Sequence, residues 1–146
     1  SQITDGAAAV LVCNDAGLKK IKCDPLVKVK GISVVGDDPI LMLTGPIPAT
    51  KKVLNESKLN IDEIGLYEVN EAFAPVPLAW EIEVKADRSK LNVNGGAMAL
   101  GHPLGASGAK LMTTLIYEMH RRNEKYGLQA ICEGGGTANA TILEKV

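Results

Sequence analysis

The chain has 146 residues, of which 46% are hydrophobic and 23% charged, and its net charge is −1. These values suit one globular domain with its own core, and they exclude the charged footprint of a nucleic-acid-binding or membrane-surface protein. The chain shows no membrane-spanning run and no signal peptide, and its three cysteines form no metal or disulfide pattern, so we expect free thiols, no metal and a cytoplasmic protein.

In chain order, the hydrophobic pattern predicts strands that alternate with helices. Residues 1–6 are polar and loop-like, Ala7–Cys13 is a small apolar run typical of a buried strand, and 15–20 is predicted as a short helix. The later segments are predicted as a strand at 26–36, helix at 48–58, strand at 64–69, helix at 72–86, strand at 91–93, helix at 106–122, and strands at 128–132 and 137–143.

The order of these later segments is β-α-β-α-β-α-β-β. It indicates an α/β fold with a mixed, mostly parallel sheet and helices on both faces. The tight turn Gly134–Gly136 predicts that the last strand runs antiparallel to the one before it.

A glycine-rich stretch from Asn94 to Lys110 surrounds one histidine, His102, with five glycines and one proline. Glycines allow backbone to approach a ligand closely, and the helix that follows presents free N–H groups. A histidine in that setting is suited to proton transfer or to hydrogen bonding of an oxyanion. The alternative is a tight loop with a packed or solvated histidine.

Three polar clusters follow predicted strands, at 70–73, 101–103 and 132–136. Ligands bind beyond the carboxyl ends of strands in open α/β sheets, so we expect these clusters to converge. Together they supply an amide, an imidazole, a thiol and glycine backbone, which suit acyl chemistry. Each also has a structural interpretation: Asn70 as a helix cap, Cys132 as a buried thiol, and the glycines after it as a turn.

Four stretches resemble the sequence motifs of the thiolases, which exchange acyl groups between 3-ketoacyl-CoA and CoA. They are D-G-A-A-A from Asp5, N-E-A-F-A from Asn70, N-G-G-A-M-A-L-G-H-P-L-G-A-S-G-A from Asn94, and C-E-G-G-G from Cys132. The resemblance covers the whole chain and implies the fold of the carboxyl-terminal thiolase domain. Glu133 departs from the family, which more often has a small or apolar residue there.

The resemblance also implies roles for five residues. His102 would activate the nucleophilic cysteine and donate to the thioester oxyanion, and Asn70 would hold a water that completes this oxyanion hole. Cys132 would be the general acid/base, and the N–H of Gly134 would belong to a second oxyanion hole. Phe73 would line the path of the pantetheine and acyl groups. Coenzyme A or acyl-CoA would be a substrate, with no permanently bound cofactor and no metal.

The family resemblance implies that much of the enzyme lies outside this chain. Residues 1–20 would be the tail of an amino-terminal domain, and residues 21–146 the carboxyl-terminal domain. The other half would carry the nucleophilic cysteine and the loop region that grips CoA. Cys13, in the predicted strand, and Cys23, in a connector, lack the glycine-rich, helix-N-terminal setting of a nucleophile. We therefore expect the chain alone to be inactive, and the complete enzyme to be a homo-oligomer.

Two alternatives remain at this point: a non-catalytic binding or assembly module with the same fold, and a thiolase-like lyase or condensing component. The unaltered histidine and cysteine motifs favour the transferase. In the thiolases, two similar α/β domains pack helices against each other and form a five-layered subunit. The resemblance therefore also implies that helix 106–122 lies between the two halves. The isolated chain would then expose the apolar stripe of that helix and the strand Ala7–Cys13, and would self-associate.

Overall fold

A computed structural model describes all of residues 1–146 and contains five α-helices and four β-strands. The helices are α1 (Asp15–Ile21), α2 (Pro46–Ser57), α3 (Pro75–Val84), α4 (Ala97–Leu100) and α5 (Ser107–Arg122). The strands are β1 (Val27–Gly36), β2 (Leu66–Val69), β3 (Tyr126–Glu133) and β4 (Thr137–Lys145). Two short 3₁₀ turns precede β2 and α4, at Ile61–Glu63 and Arg88–Lys90. The α/β class and most of the predicted elements are confirmed.

The four strands form one mixed sheet in the order β1-β4-β3-β2. β2 pairs parallel with β3, whereas β4 pairs antiparallel with both β3 and β1. Three strands therefore share one direction, and the antiparallel last strand is confirmed. Because β4 lies between β1 and β3, only one of the three pairings is parallel, although three of the four strands run in the same direction.

Helices cover both faces of the sheet, as predicted, and each face has its own core. On one face, α2 and α3 pack against alternate side chains of β2, β3 and β4, with Trp80 fully buried at the centre. The Trp80 Nε1 donates to the Thr50 hydroxyl at 2.8 Å, which joins the two helices. On the other face, α5 contributes its apolar stripe to a smaller cluster of Leu66, Leu115, Ile116, Met119 and Leu143.

Two predicted strands are absent. Ala7–Cys13 forms no strand, and all of its residues except the half-buried Val10 are exposed, because no neighbouring strand is present to pair with it. Leu91–Val93 forms only a single parallel bridge, between Leu91 and Tyr67, since the chain turns away at Asn92, which has a φ of 47°. None of the five helices combines the length and the apolar character needed to cross a membrane.

The expected exposure of the α5 stripe is also wrong. Its apolar side chains are buried against the sheet of this chain, with Leu115 and Met119 at most 1% exposed. The exposed apolar surface lies instead on β1, where Val29, Ile32 and Val34 are 42%, 59% and 60% exposed. α5 covers β2 and β3 on this face and reaches only part of β4, which leaves β1 open.

Candidate active site

The polar clusters gather at the carboxyl end of the two parallel strands. Asn70 directly follows β2, and its N–H donates to the Ala130 carbonyl of β3 at 3.0 Å. Cys132 lies near the end of β3, two residues further along. The first turn of α5, which follows the histidine loop, is tied to β3 because the Gln129 Nε2 donates to the Gly108 carbonyl at 2.7 Å. The three loops therefore share one end of the sheet.

His102 is held by the first residue of the next helix. Its Nδ1 lies 2.6 Å from the Ser107 Oγ, and that hydroxyl is also 3.1 Å from the Pro103 carbonyl oxygen. The hydroxyl has one proton, which it can give either to the imidazole or to the carbonyl. In the first case Nε2 carries a proton and can donate to an oxyanion. In the second case Nδ1–H donates to the hydroxyl, and Nε2 is free to act as a base.

The imidazole is half-buried, and burial lowers the pKa of His102 below its usual value of 6.5. Near neutral pH the ring is therefore uncharged, because desolvation disfavours the imidazolium form. An uncharged imidazole can accept a proton from a thiol. Because the Ser107 hydroxyl can either donate to Nδ1 or accept from it, the uncharged ring can serve both as a base and as a hydrogen-bond donor.

The amino-terminal segment lies against the histidine loop, a contact that the sequence did not predict. The N–H of His102 donates to the Gln2 carbonyl at 2.8 Å, and Ile3 forms a parallel bridge with His102. The Ser1 hydroxyl donates to the Ala72 carbonyl at 3.0 Å, beside the second polar cluster. Residues 1–6, predicted as loop, are thus a wall of the site. An open cleft of about 550 Å³ lies between residues 4–8 and 103–106.

Asn70 is buried beside a cavity that matches one water molecule. The residue is 2% exposed, and its Oδ1 has no hydrogen-bond partner in the chain. It lines a cavity of about 10 Å³ together with Gly101, Ser107 and Lys110. A cavity of this size can hold a single water. His102 itself does not line the cavity, although its neighbour Gly101 and its partner Ser107 do.

Cys132 faces the core that α2 and α3 cover, and it is 9% exposed. Burial raises the pKa of the Cys132 thiol above its usual value of 9.0, and the nearby Glu133 carboxylate adds to this. A raised pKa keeps the thiol protonated at neutral pH, as a general acid requires. This placement is therefore also consistent with the alternative interpretation of Cys132 as a buried structural thiol.

Glu133 points to the other face of the sheet. Its carboxylate accepts hydrogen bonds from the Thr137 hydroxyl and the Asn139 side-chain amide. Successive side chains of a strand lie on opposite faces, so Glu133 and Cys132 are separated by the backbone. Glu133 therefore places a negative charge near the Cys132 thiol, but its side chain does not lie in the space around that thiol.

Gly134 and Phe73 are both accessible. The Gly134 N–H makes no hydrogen bond within the chain, and a Cβ at this position would meet no atom within 4 Å. That N–H is therefore available to a ligand. The Phe73 side chain is 57% exposed beside the amino end of α3 and can contact a molecule that enters the site.

The two remaining cysteines are exposed and unpaired. Cys13 directly precedes Asn14, the N-cap of α1, so it lies near a helix N-terminus, but no glycine-rich loop surrounds it. The α1 helix has no buried residue, however, and nothing encloses its first turn. Cys23 lies in the connector between α1 and β1, as expected. No group of three or more His, Cys, Asp or Glu side chains is arranged to hold a metal ion.

Three polar side chains of the site lie in predicted stretches but were assigned no role from sequence: Ser107, Glu71 and Lys110. Ser107 stands at the first position of α5, where the preference of serine for helix starts could have drawn attention to it. Lys110 donates from Nζ to the Leu100 carbonyl at 2.7 Å, which closes the carboxyl end of α4. Glu71 lies in the predicted cluster 70–73 and Lys110 ends the glycine-rich stretch, but no sequence signal assigns either of them a role, because their partners lie in other loops.

Comparison with known proteins shows which sequences and structures resemble this chain. Residues 23–145 match the family model described as the carboxyl-terminal domain of thiolase. The chain is 55% identical, over all 146 residues, to a steroid 3-ketoacyl-CoA thiolase of Mycobacterium tuberculosis. It is 44% identical over 145 residues to an acetyl-CoA acetyltransferase of Cupriavidus necator.

The crystal structure of human mitochondrial 3-ketoacyl-CoA thiolase in complex with CoA is also similar. It superimposes on 90% of this chain with a TM-score of 0.87 and a sequence identity of 44%. The chain covers 36% and 37% of the two sequence relatives and 34% of that structure. It thus spans about a third of the length of the proteins it matches.

Proposed function

This chain belongs to the thiolase family, in which it corresponds to the carboxyl-terminal domain, and we propose that it supplies half of the active site of an acyltransferase. The complete enzyme would transfer acyl groups between 3-ketoacyl-CoA and CoA, by thiolytic cleavage or by the reverse Claisen condensation. The observation that carries the proposal is the pairing of the half-buried His102 with Ser107 at the same sheet end as Asn70 and Cys132.

His102 would take the proton of the nucleophilic cysteine through Nε2 and would then donate to the thioester oxyanion. Two features support both steps, namely the lowered pKa of the ring and the hydroxyl of Ser107, which can accept from Nδ1 or donate to it. The water that completes the oxyanion hole would occupy the small cavity beside Asn70. The unpartnered Oδ1 of Asn70 supports this placement.

Cys132 would donate or accept a proton at the acetyl carbon or at the leaving thiol. The raised pKa supports a protonated thiol in the resting site. The free N–H of Gly134 would bind the carbonyl oxygen of the acyl-enzyme, since nothing in the chain occupies it. Phe73, exposed at the site, would contact the pantetheine and acyl groups of CoA substrates.

The nucleophilic cysteine and the loops that grip CoA would lie in the part of the enzyme that this chain does not span. Residues 1–20 would belong with that part and residues 21–146 would form the carboxyl-terminal domain. The exposed apolar side chains of Leu11 and Val12 and the open face of β1 support a contact surface for it. The chain alone would then be inactive, and the complete enzyme would be a homo-oligomer acting in the fatty-acid β-oxidation class of reactions. The free thiols support a reducing, cytoplasmic location.

A direct test of the oxyanion-hole assignment uses Asn70→Ala in the chain joined to an amino-terminal thiolase half. Loss of one oxyanion-hole group costs about a hundred- to thousandfold in kcat. We therefore expect kcat for thiolytic cleavage of a 3-ketoacyl-CoA to fall by that factor, whereas Asn60→Ala, in the loop before β2, leaves kcat unchanged. Equal activity of the Asn70→Ala enzyme and the parent would contradict the proposal.

A further inference from the structure

The carboxylate of Glu71 joins two loops of the site. Its Oε1 accepts a hydrogen bond from the Asn92 Nδ2 at 2.9 Å, and its Oε2 accepts one from the Met98 N–H at 3.0 Å. Glu71 directly follows Asn70, whereas Met98 lies in α4, which leads to His102. The Glu71 side chain, next to Asn70 in sequence, therefore contacts the segment that leads to the histidine.

The Asn92 side chain anchors this contact to the sheet. Its Oδ1 accepts from the Val69 N–H and its Nδ2 donates to the Val69 carbonyl, both at 2.9 Å. The amide thus takes the place of a neighbouring strand at the end of β2, and the other proton of Nδ2 is given to Glu71. Asn92 has a left-handed backbone, which asparagine tolerates better than most residues. The carboxylate of Glu71 is consequently held in one position.

Gly96 leaves the space that the carboxylate occupies. A Cβ at Gly96 would fall 2.3 Å from the Glu71 Cδ and 2.4 Å from its Oε2. No side chain fits there unless the carboxylate moves. The backbone of the loop and the carboxylate are therefore in direct contact, in addition to their hydrogen bonds.

α4 is fixed at both ends by these contacts. Glu71 holds its first turn through Met98, and Lys110 holds its last residue, Leu100, by the hydrogen bond from Nζ. His102 follows Leu100 by two residues. A four-residue helix has little stability of its own, so its position depends on such anchors.

We propose that Glu71 is a positioning residue that fixes His102 relative to Asn70. This inference rests on the proposed function, in which both residues act on the same oxyanion. Glu71 itself touches neither substrate nor the reacting atoms. It sets the distance between two groups that do, through α4 on one side and the peptide bond to Asn70 on the other.

The test replaces Glu71 by Gln in the complete enzyme, with Glu63→Gln as a matched control. Glu63 also accepts from an asparagine, the backbone N–H and side chain of Asn60, but at the opposite end of β2. The two donors bind different oxygens of Glu71, and glutamine replaces one of these oxygens with an NH₂ group, so one donor loses its acceptor. We expect kcat to fall about ten- to hundredfold with KM changed less than about twofold, as for a misplaced catalytic group. Glu63→Gln should leave both constants unchanged.

A second variant, Gly96→Ala, displaces the carboxylate without removing its charge and should give the same loss of kcat. The decisive comparison combines Glu71→Gln with His102→Ala. If Glu71 acts through the histidine, the double variant is no slower than His102→Ala alone. A further multiplicative loss would overturn the inference. An unimpaired His102→Ala enzyme would instead contradict the proposed function.

NMR spectroscopy of histidine tests the positioning role of Glu71 separately from the proposed function. The chain has two histidines, so a complete enzyme in which only this chain carries ¹³C-labelled histidine gives one resonance for His102 and one for His120. Glu71→Gln should shift the resonance and titration of His102 and leave those of His120 unchanged. Unchanged spectra for both histidines would overturn the positioning role, whatever the enzyme's activity.

Discussion

His102 and Ser107 are joined by a 2.6 Å hydrogen bond, which ties the imidazole to the first residue of α5. The orientation of the ring is therefore fixed, because the hydroxyl that holds it belongs to a rigid 16-residue helix. It also ties the protonation of Nδ1 to the orientation of one hydroxyl. Both consequences can be tested by removing that hydroxyl.

Ser107→Ala should lower kcat of the complete enzyme about ten- to hundredfold, because the ring loses its orientation. The free energy of unfolding should fall by only about 1 kcal/mol, the usual contribution of one hydrogen bond. Ser33→Ala is the matched control, since Ser33 is a buried serine that donates to the Ala49 carbonyl away from the site. An equal loss of activity in both variants would show that Ser107 has no particular role.

Much of this fold is readable from sequence because its elements carry local patterns. α5 has a clear stripe of apolar residues, and Asn123 ends it in the left-handed conformation. The predicted strand Ala7–Cys13 failed because an apolar run forms a strand only when another strand is available to pair with it. The strand order was also unreadable, since the insertion of β4 between β1 and β3 depends on long-range pairing.

The sequence predicted which residue types belong to the site, but not the contacts between them. The glycine-rich loop and the positions after strands indicated His102, Asn70 and Cys132. Glu71, Lys110 and the segment at Gln2 and Ile3 act through partners distant in sequence, which no local pattern reveals.

Glu68 predicts a pH dependence of stability. It is 2% exposed on β2, and burial, with the nearby Glu71 and Glu118 carboxylates, raises its pKa from 4.5 to about 8. Between these values the folded chain binds more protons than the unfolded chain, so the free energy of unfolding falls as pH rises. The loss is at most about 5 kcal/mol and is complete above the folded pKa.

Glu68→Gln keeps the shape of the protonated carboxyl and cannot ionise. Urea unfolding from pH 4 to 9 should therefore show less loss of stability in this variant than in the parent. Glu56→Gln, at an exposed position on α2, should behave like the parent. Parallel curves for Glu68→Gln and the parent would mean that the carboxyl does not titrate in this window.

The thiol of Cys132 should react with iodoacetamide with an apparent pKa above its usual 9.0, because burial and Glu133 raise the pKa. The experiment uses a Cys13→Ser, Cys23→Ser background, which leaves one cysteine. Glu133→Gln removes a negative charge and should lower that pKa. Glu144→Gln, near the far end of β4, should not change it. A higher pKa in Glu133→Gln would contradict the electrostatic account.

The open face of β1 should cause association of the isolated chain. Ile32→Lys places a charge on this face and should reduce light scattering across a concentration series. Ile82→Lys is the control, because Ile82 is 74% exposed on α3, which packs on the other face of the sheet. If Ile82→Lys reduces scattering as much as Ile32→Lys, the association does not depend on β1.

The central claim is that this chain supplies the His102 and Cys132 half of a thiolase site, and reconstitution of turnover tests it most directly. Thiolytic cleavage of a 3-ketoacyl-CoA would be measured for the chain alone, for the chain combined with an amino-terminal thiolase half, and for combinations carrying His102→Ala or Cys132→Ala. We predict no turnover for the chain alone, turnover for the combination, and loss of most of it in either variant. Turnover by the purified chain alone that survives Cys132→Ala would contradict the account.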